Sequence, residues 1–406
     1  MIAESKHYER KMTMVEKVNK TMVKVTGRID SNNAAELEKE LFDALRVADG
    51  NIIIDAAGLE YVSSAGLRVF LKLKKSMSGD VSVINVTPDV YDIFAVTGFN
   101  NIITVKKALR EIDITGCEMI GQGGNGSVYR IDEDKIVKVY RPTVELEQID
   151  KEREFTKNAL INGVPCVIAY DVVRCGDSYG IVFEMLKSDT LGHAFRKNPD
   201  RIDELVDKYV AFAKELHSTE ILDGSITNIK EVLHKRVPNL AKWCTAEEME
   251  LLNSLIDELP DAFTLIHGDL HPGNIMIQDG ELVLIDMPEV TVGPKIWDLV
   301  GIYRDMISAP SAPNGTSAIE TSTGMSKNLI IDVGYKFFEG YTGIKDREQL
   351  DEYLKPLELV HALNVVLIVG AGSERAIQSA PLIMDILLRG VVIPNEQALR
   401  HILKEG

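Results

Sequence analysis

The sequence predicts an α/β domain with helices on a mixed sheet, followed by an α+β domain of two lobes. Three observations predict this order of parts. Short apolar strands alternate with amphipathic helices over roughly the first hundred residues. A glycine-rich stretch at 120–129 then leads into a strand instead of a helix, and a polar motif at 265–277 lies between short apolar runs.

The composition is that of a globular chain with room for two cores. Hydrophobic residues make up 45% of the 406 residues, and the mean hydropathy is −0.01. No basic-then-apolar leader begins the sequence, and the longest apolar run, 365–372, is far shorter than the roughly 20 residues that span a bilayer. Four cysteines show neither paired metal spacing nor a disulfide framework. We therefore expect a cytoplasmic protein that does not bind membranes.

The net charge of −17 opposes binding to nucleic acids and to anionic membranes. If the acidic residues concentrate around a cleft, they favour a cationic small molecule as the partner. If they are spread over the surface, they serve solubility alone.

The N-terminal domain has the pattern of a small layered fold. Strands and helices that alternate along a chain build a mixed sheet, here of about four strands. No cluster of catalytic side chains occurs in this part. Strands are predicted at 12–18, 21–26, 51–55 and 81–86, and helices at 32–48, from near Ser63, and at 89–96.

Ser63 and Ser64 lie where a buried strand gives way to a helix. A phosphate added there is stabilised by the helix dipole and by unsatisfied N–H donors, and it changes the surface charge by about two units. The alternative is that Ser63 only caps the helix.

The sequence of residues 59–70 resembles that of the STAS domain, which occurs in anti-sigma factor antagonists and sulfate-transporter tails. The resemblance covers about residues 10–110. Alignment on Gly66 implies that Ser64 is the phosphorylated serine, and the resemblance adds another STAS-switch protein as a partner. Val62 and Ser63 stand where many members of the family carry Asp.

The glycine-rich stretch has the properties of a phosphate clamp. Glycines lack Cβ atoms and let backbone N–H groups approach a phosphate closely. A strand follows them, which argues against a dinucleotide-binding fold, because that fold needs a helix there. The alternative is a plain turn. The candidate nucleotide-binding residues are Gly121, Gly123, Gly124, Gly126 and Ser127.

Lys138 is a single cation in an apolar strand, and its charge needs a partner unless it reaches water from a sheet edge. The next helical segment offers Glu152 or Glu154 as the carboxylate that would hold Lys138 over the phosphates of a nucleotide. A later strand runs into Glu184 and Leu186, where a hinge between two lobes would present backbone groups to adenine.

Asp269, Asn274 and Asp286 are spaced as phosphoryl transfer requires. Asp269 lies on a turn, where a carboxylate can accept a proton from an attacking hydroxyl. Asn274 and Asp286 flank a hairpin with the tight turn Asp279-Gly280, so both reach one end of a sheet, close enough to share a cation. The alternative is that these side chains cap helices or make turns.

The order of these parts resembles the protein-kinase-like fold, and the wording His-Gly-Asp-Leu-His-Pro-Gly-Asn at 267–274 resembles its aminoglycoside phosphotransferase and choline kinase branch. The resemblance runs from Asp113 to the C-terminus. It implies transfer of phosphate from a nucleotide, ATP, to a hydroxyl, with Mg²⁺ as the metal.

The same resemblance assigns roles to particular residues. Glu152 is favoured over Glu154, because the stretch from Glu152 to the next strand better matches the family's spacing. Protein kinases carry Phe-Gly after the aspartate that corresponds to Asp286. Here Met287-Pro288 follows instead, and we expect the proline to make this loop rigid. Implied are Asp269 as catalytic base, Asn274 and Asp286 as magnesium ligands, Lys138 with Glu152 as the nucleotide-positioning pair, and His267 and Asp298 as supports of the catalytic loop.

Two domains are therefore expected, a STAS-like regulatory domain at 1–110 and a kinase-like domain at 113–406, with lobes at about 113–186 and 187–406. The stretch 308–325, rich in Ser, Thr and Pro, is expected to be an irregular loop that interrupts the helical second lobe.

Three functions follow as hypotheses. They are a phosphotransferase with an unidentified hydroxyl acceptor, a signalling kinase that phosphorylates Ser64, and a pseudokinase that senses a nucleotide. The sequence does not distinguish ATP from GTP and does not identify the acceptor.

Overall fold

The computed structural model describes residues 14–46, 50–123, 126–312, 318–372 and 374–405. The chain divides into two compact units between Ile112 and Asp113, and each unit has its own hydrophobic core. Gly124, one of the predicted nucleotide-binding glycines, lies outside the described residues.

The first unit is a mixed sheet in the order β1-β2-β3-β4-β5, in which β1 and β2 pair antiparallel and the other pairs are parallel. The predicted count of about four strands is one short, because the edge strand β5 adds a fifth, paired parallel with β4. The elements are β1 (Met14–Lys17), β2 (Met22–Ile29), α1 (Ala34–Leu45), β3 (Ile52–Val62), α2 (Ser64–Ser76), β4 (Val81–Val86), α3 (Pro88–Val96), a 3-10 turn (Phe99–Asn101) and β5 (Thr104–Lys107).

The core of this unit follows from its two periodicities. Alternate residues of β2, among them Val23 and Val25, are buried, as expected of a strand with one face on the core. Helix α1 buries Leu37 and Leu41, four residues apart, on one face. Strand β3 is longer than the predicted 51–55 and ends directly before Ser63, so the two serines lie at its junction with α2.

A short strand, β6 (Arg110–Glu111), precedes the second unit, whose first lobe is built on antiparallel strands in the order β10-β11-β9-β8-β7. Helix α4 begins with a capping box, in which the side chain of Gln148 accepts from the Glu145 N–H at 3.3 Å. The elements are β7 (Glu118–Gln122), β8 (Gly126–Arg130), β9 (Lys135–Tyr140), α4 (Leu146–Ile161), β10 (Ala169–Cys175) and β11 (Ser178–Glu184).

The second lobe is mainly helical around two short antiparallel strand pairs. Its helices are α5 (Leu191–Lys197), α6 (Ile202–Leu216), α7 (Ile229–Arg236), α8 (Ala246–Asp257), α9 (Ile296–Tyr303), α10 (Ala309–Ser311), α11 (Ala318–Thr323), α12 (Lys327–Thr342), α13 (Arg347–Val369), α14 (Glu374–Ile383) and α15 (Glu396–Glu405). Its strands are β12 (Leu265–Ile266), β13 (Ile275–Gln278), β14 (Glu281–Leu284) and β15 (Thr291–Val292), with β12 paired to β15 and β13 to β14. Two stretches, Arg304–Ser308 and Met384–Val392, have π-helical hydrogen bonding.

The expectation of an irregular loop at 308–325 is wrong for the described part of that stretch. Helix α9 continues through the π-helical turn into α10, and α11 follows at Ala318–Thr323. Ile319, Thr323 and Met325 are buried, so packing fixes a helix that the Ser- and Thr-rich composition disfavours.

Over the described residues, no single helix has both the length and the apolar character needed to cross a bilayer. One pair of helices, Ala376–Val392 and Glu396–Glu405, meets that test only when the two are taken together, and the chain bends by 82° between them.

Candidate active site

The predicted catalytic loop, residues 267–274, begins where strand β12 ends. Gly268 adopts a φ of +82°, and a Cβ there would lie 2.8 Å from the backbone oxygen of Glu289, so only glycine fits without strain. The buried His267 accepts the Asp269 N–H at Nδ1 (3.3 Å), while its Nε2 lies 3.2 Å from the Ile285 carbonyl oxygen. The loop therefore has a fixed path up to Asp269.

Asp298, in the first turn of α9, accepts hydrogen bonds from the backbone at the start of this loop. Its carboxylate accepts the His267 N–H at 2.9 Å on one oxygen and the Gly268 N–H at 2.6 Å on the other. Burial alone would raise the pKa of Asp298, but hydrogen bonds and charge from His217 and His267 hold the pKa below its ordinary value of 3.8. The predicted loop-supporting residues His267 and Asp298 thus contact each other and the loop.

The carboxylate of Asp269 is fixed on both oxygens. The Asn274 side-chain amide donates to Oδ2 at 3.0 Å, and Nε2 of His271 lies 3.5 Å from the same oxygen. Nη2 of Arg304 lies 3.4 Å from Oδ1. The side chain of Asp269 is still 40% exposed, so an acceptor can reach it.

The hairpin β13–β14 brings the two predicted metal ligands together. Its turn residues Asp279 and Gly280 both have positive φ, 53° and 88°, as a two-residue hairpin turn requires. The Ile285 N–H donates to the Asn274 carbonyl at 2.9 Å, which places Asn274 beside the residue before Asp286. Asp286 itself has a φ of 61°, a conformation that non-glycine residues adopt rarely and that is enriched at functional sites.

Lys138 connects the two lobes. Its ammonium donates to Glu152 Oε1 at 2.8 Å and to Asp286 Oδ1 at 2.5 Å. Although burial opposes the charge, these two carboxylates hold the Lys138 pKa above its usual value. Glu154, the alternative partner, pairs instead with Arg153 and Lys157.

The glycine-rich stretch forms the β7–β8 hairpin. The Gly123 N–H donates to the Gly126 carbonyl at 2.9 Å, and Ser127 pairs with Gln122 in the ladder. A Cβ on Gly126 would lie 2.1 Å from the Val139 carbonyl oxygen, whereas one on Gly123 would have no atom of the described residues within 4 Å apart from its chain neighbours. Gly121 lies in β7 opposite Val128. Gly126 is thus a packing requirement, and Gly123 stands in open space.

The predicted hinge residues lie at the end of strand β11, where Glu184 is the last residue of the strand and Leu186 comes after it. Glu184 uses its side chain within the sheet, because its Oε1 accepts the Ile168 N–H at 2.7 Å. The Met185 N–H donates to the Asp134 carbonyl at 2.8 Å. The Leu186 N–H makes no hydrogen bond to any described residue, which leaves it available to a ligand.

Asn274 and Asp286 fit a magnesium site completed by a nucleotide. The Asn274 amide nitrogen is used on Asp269, so its carbonyl oxygen faces elsewhere, and Oδ2 of Asp286 bonds to no described residue. Across the described ranges, no group of three or more His, Cys, Asp or Glu side chains is placed to hold a metal ion. This donor set suits Mg²⁺, which binds one or two protein oxygens and takes its other ligands from water and phosphates.

Two residues near the site were not predicted from the sequence. Arg304 reaches Asp269 from the π-helical turn after α9 and is paired with Asp305. His217, directly after the amphipathic helix α6, contacts Asp298. A lone cation directly after the buried helix α9 is the signal that could have indicated Arg304, by the same argument that indicated Lys138.

Ser64 lies in the first unit, as the first residue of α2. Ser63 is the N-cap, and its side-chain oxygen accepts the Gly66 N–H at 3.4 Å. The side chain of Ser64 is exposed. The capping role expected as the alternative for this pair therefore falls to Ser63 and leaves the Ser64 hydroxyl free for other chemistry.

The fold and the site define a phosphotransferase with a two-lobed, kinase-like catalytic unit. A family model described as "Phosphotransferase enzyme family" matches residues 117–322, which is half of the chain, and the chain belongs to this family. A second model, described as "Mlab, STAS domain", matches residues 12–106.

Known proteins resemble both parts. "Putative anti-sigma factor antagonist BtrV" of Bordetella bronchiseptica is 34% identical over 82 residues, which is 20% of this chain and 71% of the relative. Among solved structures, the streptomycin–ATP ternary complex of APH(2")-IIa is 18% identical and covers 75% of this chain and 98% of its own, with a TM-score of 0.42. A choline/ethanolamine kinase family protein from Mesorhizobium loti is 12% identical over 71% of this chain and 92% of its own, with a TM-score of 0.42.

Proposed function

We propose that the protein transfers the γ-phosphate of ATP to a hydroxyl of an acceptor in a Mg²⁺-dependent reaction. The observation that carries the proposal is the continuous set of contacts from Glu152 through Lys138 to Asp286, with Asn274 and Asp269 beside it. Phosphoryl transfer needs these parts together, because it depends on positioning and on neutralising the phosphate charge.

In the proposed reaction, Asp269 accepts the proton of the attacking hydroxyl. Lys138, held by Glu152, donates to the phosphates of the nucleotide and leaves Asp286 when these arrive. Bound Mg²⁺ would be held by Asn274 and Asp286 and would neutralise charge on the phosphates. Asn274 and Arg304 keep the base carboxylate in one orientation.

The two domains would have separate functions. Residues 1–110 are proposed as a STAS-like regulatory or docking domain, and residues 113–406 as the phosphotransferase, with lobes at about 113–186 and 187–406. The separation into compact units between Ile112 and Asp113 supports this division.

The charge distribution favours a cationic acceptor, such as an amino alcohol or an aminosugar. Residues 1–112 hold 16 Lys and Arg against 15 Asp and Glu, so the remaining 29 against 47 place the whole acidic excess in residues 113–406. A unit with this excess attracts cations at long range, and salt weakens the attraction.

The test is to incubate the full chain with MgATP and a panel of amino alcohols, aminosugars and neutral sugars, and to measure ADP and phosphorylated product. We expect transfer to at least one cationic acceptor, and we expect EDTA to abolish it. ATP binding by calorimetry without ADP formation on any acceptor or water would contradict the proposal and favour a nucleotide-sensing pseudokinase.

A second candidate is a signalling kinase that phosphorylates Ser64 in its own or another STAS domain. The exposed Ser64 hydroxyl at the start of α2 favours it, because the helix N-terminus would stabilise a phosphate there. The identity to an anti-sigma factor antagonist over the same unit points to the same kind of switch.

This candidate is tested by mass spectrometry of the peptide that contains Ser63 and Ser64 after incubation with MgATP. A phosphate that disappears in Ser64→Ala and persists in Ser63→Ala would support it. An unmodified peptide under conditions in which the wild-type protein turns over ATP would exclude phosphorylation of the chain's own Ser64.

A further inference from the structure

The imidazole of His217, the residue that follows helix α6, bridges two elements beneath the catalytic loop. Nε2 lies 3.1 Å from Asp298 Oδ2, and Nδ1 lies 2.8 Å from the Tyr341 hydroxyl, while the side chain is only 2% exposed. We propose that His217 is a positioning residue for phosphotransfer, which orients the Asp298 carboxylate and through it the catalytic base. The inference rests on the proposed function and extends it to a residue outside the site.

The contacts run from His217 to the base without a gap. Asp298 accepts the Gly268 N–H on Oδ1 and the His267 N–H on Oδ2, the same oxygen that faces His217. Gly268 has positive φ and directly precedes Asp269. A rotation of the Asp298 carboxylate therefore moves the two peptide groups that lead into the base.

Burial makes the donor from His217 necessary. Asp298 has no exposed surface, so water cannot replace a lost donor to its carboxylate. A buried carboxylate without enough donors moves toward others or takes up a proton. In either case the His267 and Gly268 N–H groups lose the geometry that holds the loop.

The surroundings keep the imidazole in one orientation. Helix α6 also contacts the loop directly, because Tyr209, eight residues before His217, donates from its hydroxyl to the Leu270 carbonyl at 2.8 Å. Phe337 packs between the rings of Tyr209 and Tyr341, with centroids at 4.5 and 5.6 Å. Tyr341 in turn meets His217 edge-on at 5.8 Å. These contacts fit an imidazole that fixes the orientation of the Asp298 carboxylate as well as filling space in the core.

The experiment compares His217→Phe, which keeps a ring but loses both nitrogens, with His217→Gln, which keeps an N–H donor for Asp298. His234→Phe is the matched control, because His234 also bridges two side chains, Asn253 at 2.8 Å and Asp257 at 3.0 Å, away from the loop. MgATP hydrolysis with water as acceptor gives kcat and KM, and calorimetry gives the Kd for ATP.

For His217→Phe we expect kcat to fall by about 10- to 100-fold with the Kd for ATP within about three-fold of wild type. His217→Gln should recover most of kcat, and His234→Phe should match wild type. A kcat for His217→Phe equal to that of the control, or a His217→Gln variant as slow as His217→Phe, would overturn the inference.

If His217→Phe does not fold, Tyr341→Phe decides, because it removes only the hydroxyl that orients the imidazole. A fall in kcat at unchanged Kd supports the positioning role, and an unchanged kcat overturns it. Absence of turnover in the wild-type protein on water and on every acceptor would instead refute the proposed function.

Discussion

The Lys138 ammonium lies 2.5 Å from Asp286 Oδ1, although the two residues are 148 positions apart in the sequence. One belongs to the sheet of the first lobe and the other follows the β-hairpin of the second lobe. A partly buried cation that meets carboxylates from two lobes is poised to exchange one of them for a nucleotide phosphate.

Replacing Asp286 by Asn should reduce phosphotransfer by roughly 100-fold or more, because the proposed metal site would lose its carboxylate. The matched control is Asp279→Asn, the same chemical change at a position that also has positive φ, 53° against 61°. Asp279→Asn should leave kcat within about two-fold of wild type. Steady-state kinetics at several Mg²⁺ concentrations measures both, and equal rates for the two variants would contradict the metal role of Asp286.

Gly126→Ala should destabilise the protein by roughly 2 kcal/mol or more, because the new methyl group would lie 2.1 Å from the Val139 carbonyl oxygen. Gly123→Ala meets no atom of the described residues within 4 Å apart from its chain neighbours, and it should change stability by under about 1 kcal/mol. Urea unfolding of the two variants beside the wild type checks this. A larger loss for Gly123→Ala than for Gly126→Ala would contradict the described hairpin geometry.

Asp298→Asn should lower the free energy of unfolding at pH 6 by about 3 kcal/mol, since a buried and fully hydrogen-bonded carboxylate is lost. The folded-state pKa of Asp298 is depressed, so its contribution is present above the ordinary pKa of 3.8 and is lost as the pH falls through the lower folded-state pKa. The difference between wild type and variant should therefore shrink below pH 3.8. Urea titrations from pH 6 to pH 3 test this, and a difference that grows in acid would be the wrong sign.

Arg304→Gln should lower kcat by about ten-fold with little change in the Kd for ATP, because Asp269 would lose one of the groups that orient its carboxylate. Arg304 stays charged in the wild type: burial opposes the charge, but Asp305 and Asp269 hold its pKa above the usual value. Arg389→Gln is the control, since Arg389 also pairs with two carboxylates, Glu248 and Asp385, outside the proposed site. Equal kcat for both variants would argue against the role of Arg304.

The site residues that could be predicted from the sequence share one property: each is a polar residue within or next to a run of apolar residues. Lys138 lies in an apolar strand and Asp269 follows one, and the family resemblance adds the roles that we predict for both. Asp279-Gly280 was identifiable as a tight turn for the same reason, and both residues have the positive φ expected.

Other contacts depend on tertiary packing, and no local signal in the sequence identifies the partner residue. Arg304 is the first residue of the π-helical turn and contacts Asp269, which lies 35 positions earlier in the sequence. His217 lies at the end of an amphipathic helix, where a histidine fits core packing equally well, and its contact with Asp298 spans 81 residues. Helix α11 depends on the burial of Ile319 and Thr323, against the preference of its own Ser and Thr residues.

The most direct test of the proposed chemistry is the rate of phosphate transfer by Asp269→Asn at saturating MgATP, measured beside the Kd for ATP. Asn keeps the shape of the side chain and removes its capacity to accept the proton of the hydroxyl, so kcat should fall by about 100- to 10,000-fold while the Kd stays within about three-fold. A kcat within about two-fold of wild type, with ATP still bound, would contradict the assignment of Asp269 as the catalytic base.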